Sequence, residues 1–560
     1  MTGRTIALLA MVAGCGGTGM NRFPLREPLG RDDDTHPFRH KPSTYFSPML
    51  WDAADMTLFR PITRYFAVDV GGEAVDVNAL DEVPDSSWFE NRMGARQLSV
   101  AEVTRGPCPE PSLDPAGSWT VVAAKPNGAS PGFTVEDNQG RRYLVKLEGL
   151  LQPGRASAAD AIGSRIYYAA GFNTPCNRVV HFRRDILSLA PGAQGESGSG
   201  KKFPLTEAMI DGILKQTPQT PDGRYRVAVS LLVPGKPIGP FRYFGVRDDD
   251  LNDAVPHEDR RELRGSYLLA AWINHFDARE MNTLDTWIEV PDRGGYVRHF
   301  ILDWGDSFGS LWPWDELSRR FGYSYYLDFR DVTVDFLTLG LLPRPWDRAR
   351  FGKAEMVWGY FGVEDFDPED YHTGYPNPAF GRMTERDGAW MARILAGFTD
   401  QHIAALVELG ALADPVAATE LERILRQRRD RILARYLGRL SALTRPRISD
   451  GELCLDDVAV AAGVAGRGDR RYAALAWTEG RGGAPPLTLP AVRLEGETAL
   501  CVALPPALGP RRYLVVDVLS YAPEARRLVP ARVHLYDLGA DGMRVVGLER
   551  PDDDRPPKGS

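Results

Sequence analysis

Four polar side chains stand out against their local sequence. Lys146 interrupts the apolar run Tyr143, Leu144, Val145, Lys146, Leu147, placing one cation in an otherwise hydrophobic strand pattern. Asp277 follows His275 and Phe276, Asn282 stands five positions later, and Asp303 opens the run Asp303, Trp304, Gly305. Carboxylate and amide oxygens are the ligands that a hard divalent ion such as magnesium takes. A carboxylate beside a hydroxyl can orient it or accept its proton. Cations that neutralise phosphate oxygens, together with such a carboxylate, are most of what phosphoryl transfer asks of a protein. Each residue alone has a plainer reading: an Asp in a loop is usually a turn or cap, and a Lys in a strand usually faces water. Their joint, ordered occurrence carries the expectation.

The flanking pattern predicts how they are positioned. A strand over Thr120–Ala124 leads through Lys125, Pro126, Asn127, Gly128, Pro131 and Gly132 to a second strand, Tyr143–Leu147. A helix over Ala156–Ala170 follows, with Gly171 as its stop. Another helix, Glu258–Asn274, precedes His275. A hairpin, Thr283–Val290 and Tyr296–Leu302 around Asp292, Arg293, Gly294 and Gly295, puts Asn282 and Asp303 at its two ends. Helices are also expected over Asp400–Leu409 and Ala417–Leu440, the arginines of the second lying on its solvated face. Short strands at Ala473–Thr478, Thr498–Leu504, Tyr513–Leu519 and Arg532–Tyr536 mark a small β domain. The segment Gln194–Lys202 reads as a flexible insertion. Its Gly195, Gly200 and Lys201 only mimic a phosphate loop, since Lys202 stands at the hydroxyl position and Phe203, Pro204 replace the required helix.

With His275, Phe276, Asp277, Asn282, the hairpin and Asp303, Trp304, Gly305 in this order, the chain resembles the catalytic loop, metal-binding Asn and Asp-Phe-Gly element of the protein-kinase-like fold. The run Leu302 to Gly309 is similar to atypical bacterial members such as the HipA and spore-coat CotH kinases. The resemblance implies an α+β, two-lobed protein-kinase-like fold with an appended small C-terminal β domain, binding ATP with Mg2+ or Mn2+. It implies Lys146 on the nucleotide phosphates, Gly128 and Gly132 in a loop above them, Asn282 and Asp303 on the metal, and Asp277 as base or orienter. Asp160 is the carboxylate expected to hold Lys146, with Glu207 as substitute. Asp306 is read as structural in preference to a metal or hinge role, Trp304 as core, and His275 as a backbone hydrogen-bonding residue. The expected boundaries are 118–205 for the first lobe, 206–446 for the second, 447–550 for a β-sandwich-like domain and 551–560 for a disordered tail. Residues 16–117 are expected to form a tether and irregular segment.

At the start of the chain, Arg4, an apolar run from Thr5 to Val12, and Ala13, Gly14, Cys15 resemble a bacterial lipoprotein signal, residues 1–15, with Cys15 lipidated. An ordinary signal peptide is the alternative. The expected location is the cell envelope, held to a membrane by lipid. Of the remaining Cys108, Cys176, Cys454 and Cys501, the last two form the favoured disulfide pair among three possible pairings.

The composition bounds the partners. The chain has 560 residues, 25% charged and 43% hydrophobic, with net charge −8, as folded multi-unit proteins do. The acidic balance argues against nucleic-acid binding, which needs a cationic surface. Expected partners are a nucleotide, an acceptor of unknown kind, either a protein hydroxyl or a small molecule, and the membrane. The competing expectation, from the weak glycine loop and the scarcity of ATP outside the cytoplasm, is a catalytically silent pseudokinase or surface scaffold.

Overall fold

The computed structural model describes residues 22–65, 71–125, 131–196, 202–351, 355–478, 486–496, 498–505, 509, 511–521 and 527–551. Cys15 and Gly128 lie outside them. The chain is mixed α/β and divides into two compact units, one built from residues 29–442 and 458–465, the other from residues 22–28, 443–457 and the described residues from 466 onward.

The larger unit carries a seven-stranded sheet. Its strands are β1 (Trp119–Ala124), β2 (Gly132–Glu136), β3 (Arg142–Leu147), β4 (Asn177–Phe182), β5 (Leu187–Glu196), β6 (Lys202–Pro204) and β7 (Tyr225–Leu231), in the order β4-β7-β3-β2-β1-β5-β6. Only β1 and β5 run parallel among these pairs. The flanks of the expected flexible insertion are therefore a paired hairpin, with Gln194 opposite Pro204 and Glu196 opposite Lys202. Alternation along β3 buries Tyr143, Val145 and Leu147 in one apolar core with Trp119, Phe133 and Val135. Because successive strand residues point to opposite faces, Lys146 is turned away from that core.

Helix α1 (Arg155–Ala170) packs against β4 and β7. It ends where expected, at Gly171, whose φ of 137° is open to glycine and where an added Cβ would strike the Phe89 ring. A second core joins α1 to α2 (Arg261–Ile273), α3 (Glu385–Leu395), α4 (Asp400–Leu409) and α5 (Pro415–Tyr436), through Trp272, Trp304, Phe308, Trp390 and Leu425 among others. Each fully buried side chain of this size contributes roughly 1.5–3 kcal/mol. Arg428 and Arg429 depart from the expected solvated face of α5. Both are buried, donating to the carbonyls of Ala271 and Phe398 respectively, and Arg428 also lies over Phe366. A three-stranded sheet, β10-β9-β8, is formed by β8 (Lys236–Gly239), β9 (Thr283–Val290) and β10 (Gly294–Ile301). The early segment around Val83 to Arg92 enters the core, with Trp88 stacked 3.4 Å from His299.

The smaller unit holds two antiparallel sheets, of four and five strands, spanning Leu443–Ser449 to Met543–Glu549. Residues 22–28 belong here and not to one continuous N-terminal segment. Phe23 receives a donation on its carbonyl from Tyr536 and gives its N–H to Tyr513 Oη at 2.8 Å. Cys454 and Cys501 lie opposite each other on neighbouring strands and are bonded; in the larger unit Cys108 and Cys176 form a second disulfide. Among the described residues, no helix is long and apolar enough to cross a membrane.

Candidate functional site

The β9–β10 hairpin closes where the sequence places its two polar ends: Ile301 pairs with Thr283, and the Leu302 N–H donates to the Asn282 carbonyl at 2.8 Å. Asn282 donates its Nδ2 to the backbone and side-chain oxygens of Asp277, at 2.7 and 2.8 Å. Both partners are acceptors, so the amide orientation is fixed by its neighbours and the Asn282 carbonyl oxygen points elsewhere. Arg279 pairs with Asp277 at 2.9 Å from the other side.

Lys146 Nζ lies 3.0 Å from Asp160 and 2.9 Å from Asp303. β3 brings the lysine, α1 the first carboxylate and the loop after β10 the second. Asp160, not Glu207, is the helix partner; Glu207 pairs with Arg184 on the surface. Burial works against the lysine cation, but the two carboxylates outweigh it and hold its pKa above the ordinary value. Burial also opposes ionisation of Asp303, yet Lys146 and Lys125 keep its pKa below the usual carboxylate range. Asp160, with almost no exposure, is held up by burial, partly offset by Lys146.

The Asp303 backbone sits at a left-handed φ of 55°. His275 Nε2 faces the Asp303 carbonyl at 3.1 Å, and Nδ1 faces Tyr167 Oη at 3.3 Å. A carbonyl only accepts, so Nε2 carries the proton and Nδ1 accepts from tyrosine. Burial agrees with a neutral ring, pulling its pKa down to about 4. The Trp304 N–H donates to Asp160 at 2.9 Å, and Trp304 is buried in the core beside Gly163, where any Cβ would meet its ring at 2.4 Å. Below the site, Arg155 donates to the carbonyls of Gly305 and Ser307, both at 2.7 Å, and to Ser310 Oγ.

Two glycines were expected above Lys146. Gly132 is instead the first residue of β2, paired directly with Lys146, and its carbonyl accepts from the Lys125 N–H. A Cβ there would come within 2.2 Å of the Val145 carbonyl, so close strand packing accounts for this glycine. Gly128 falls outside the described residues.

Sequence reasoning gave no site role to Lys125 or Arg155, and it read Asp306 as structural. Lys125, one residue past β1, is half-buried within electrostatic reach of Asp303, Lys146 and Asp160; burial lowers its pKa and Lys146 adds to that. Asp306, partly exposed, accepts from Ser310 Oγ at 3.0 Å and acts electrostatically on Asp277. Arg155 ties the loop after Asp303 to the start of α1. A Lys in a turn and an Arg opening a helix carry no distinctive local pattern; the repeat of Asp at 303 and 306 was the available signal.

Asn282, Asp303 and Asp306 carry oxygen donors, the ligand type that magnesium or manganese takes, although among the described residues the carboxylates of Asp277, Asp303 and Asp306 are not drawn together to the spacing of three ligands on one ion. Lys146 and Lys125 bring two cations to the side of Asp303.

No family model matches the chain, and no curated protein matches it. Among solved structures, one described as a crystal structure of the golgi casein kinase is similar, at 11% identity and a TM-score of 0.23, covering 67% of this chain and 95% of that one.

Proposed function

We propose that the larger unit is a two-lobed protein-kinase-like phosphotransferase. In this reading it binds ATP with Mg2+ or Mn2+ and transfers the terminal phosphoryl group to a protein hydroxyl. The observation that carries the reading is Lys146 Nζ held between Asp160 and Asp303 at 3.0 and 2.9 Å, the second of them more than 150 residues further along the chain. Asp303 and Asn282, with Asp306 added, are the residues that would hold the metal, which when bound neutralises phosphate charge. Lys146 and Lys125 bind and orient the phosphates. Asp277, braced by Asn282 and Arg279, orients the acceptor hydroxyl and takes its proton as the new oxygen–phosphorus bond forms and the bond to the diphosphate breaks. Cys15 is assigned as the lipid anchor that holds the chain in the bacterial cell envelope.

A thermal-shift series with ATP, magnesium and manganese tests this. The parent melts higher with nucleotide and metal together; Asp303→Ala loses that shift; Asp277→Asn keeps it and loses transfer to a protein acceptor. If the parent shows no nucleotide-dependent shift, the chain is a scaffold and the kinase reading is wrong.

A further inference from the structure

Arg165, on α1, is 2% exposed and has no acidic partner. Burial pulls its pKa down to about 9, and among the described residues the one charged group that acts on it is Arg178, another cation. Its guanidinium donates to neutral acceptors only: the Thr104 and Asn177 carbonyls, Ser164 Oγ, and Cys108 Sγ at 2.7 Å. A buried charge without a counter-ion is costly, and a disulfide sulfur is a weak acceptor that offsets little of that cost. A thiolate at the same place would be the missing counter-ion.

The two disulfides of the chain face opposite charges. Cys501 Sγ lies 2.9 Å from Glu495 Oε2, and both cysteines of that pair are buried on neighbouring strands, so a thiolate formed there would meet a carboxylate. Cys108–Cys176 instead joins the turn after helix Val100–Arg105 to the residue before β4. Arg178, two residues beyond Cys176, pairs with Glu110, two residues beyond Cys108, at 3.0 Å. Those flanking charges balance each other, and Arg165 is left over. Cys176 is the more exposed of the two cysteines, at 9% against 5%.

We infer that Cys108–Cys176 is a thiol–disulfide exchange site whose substrate is a dithiol, and that Arg165 stabilises the Cys108 thiolate as leaving group. The attacking thiolate bonds to Cys176 Sγ, the bridge breaks, and its electron pair leaves on Cys108 Sγ beside the guanidinium. The second thiol of the reductant then displaces Cys176 Sγ and closes its own disulfide. Two electrons pass to the protein; of the two protons of the dithiol one goes to Cys176 and one to solvent, and Cys108 stays a thiolate. This inference is independent of the nucleotide reading.

Graded reduction of the folded full chain tests it, using Cys15→Ser throughout so that no fifth thiol contributes. After limited exposure to dithiothreitol, free thiols are alkylated with iodoacetamide and located by peptide mass spectrometry. Cys108 and Cys176 should be labelled while Cys454 and Cys501 stay bonded. Arg165→Met should slow the opening of Cys108–Cys176 by about tenfold or more, and Arg165→Lys, which keeps a cation, should restore part of the rate. In the reduced parent, the alkylation rate of Cys108 should fall off at lower pH than that of Cys176, an ordinary thiol having a pKa of about 8.5. That comparison needs no substitution at Arg165, so it decides the matter even if Arg165→Met does not fold. Both bridges opening together, an unchanged or faster rate in a folded Arg165→Met, or a Cys108 that titrates no lower than Cys176 would each overturn the inference.

Discussion

Replacing Lys146 by Met removes the cation that Asp160 is buried against. At 3.0 Å and an effective dielectric of about 20, the attraction lost is roughly 5 kcal/mol before desolvation is counted, and removing one partner of a buried pair typically costs about 3–5 kcal/mol. Asp303 adds less, because its side chain is 39% exposed and water screens it. The second substitution, Asp160→Asn, removes the stranded charge yet keeps an oxygen for the Trp304 N–H. Lys146→Met/Asp160→Asn should therefore recover most of the stability lost in Lys146→Met. The pH dependence follows from the same charge. Burial already holds Asp160 above its ordinary pKa, and without Lys146 it rises further. A carboxyl with a raised folded pKa costs stability increasingly as pH climbs above its unfolded pKa, so the deficit of Lys146→Met should be small near pH 4 and largest near pH 8. Urea unfolding followed by tryptophan fluorescence reports it, since Trp304 lies in the adjoining core. A double variant no more stable than Lys146→Met, at either pH, would refute the account of the pair.

Two further outcomes are expected. Asp253 is buried, but His257 outweighs the burial and holds its pKa near about 2. It should contribute about 2 kcal/mol that is present above its unfolded pKa near 4 and lost progressively as pH falls through about 2; urea titrations at pH 6 and 3 should show about half of that loss in the parent and none of it in Asp253→Asn. Gly163→Ala should displace Trp304, cost about 1–3 kcal/mol by overpacking, and weaken the metal-dependent nucleotide shift more than Gly212→Ala, which meets nothing; equal shifts in the two would count against coupling between the α1 face and Asp303.

Much of the local structure was legible. The α1 limits came within one residue because alanine and isoleucine repeat at helical spacing up to Gly171, and β9 matched because its turn residues are unambiguous. The convergence of Lys146 with Asp160 and Asp303 was implied by the resemblance to the protein-kinase-like fold, which the out-of-pattern cation and the hairpin with polar ends carried. What stayed hidden depends on long-range packing. Phe23 joins Tyr513 across 490 residues, a pairing that local periodicity cannot register. The strand Leu443–Ser449 contains Pro446, which reads as a break; it is tolerated because this is an edge strand with an irregular register between Thr444 and Arg447. Arg428 looked like a surface cation because nothing nearby in sequence announces the carbonyls it serves.

Arg155 and Gln152 together tie the start of α1 to the loop after Asp303, with Gln152 also donating to the Gly309 and Val357 carbonyls. The helix that carries Asp160 cannot swing outward without stripping those buried bonds, and the loop cannot flip without the helix. On the proposed reading, a phosphotransferase assembled this way would have no built-in off position at its lysine, and control over when it acts would have to come from outside the fold, from the supply of nucleotide or the arrival of acceptor.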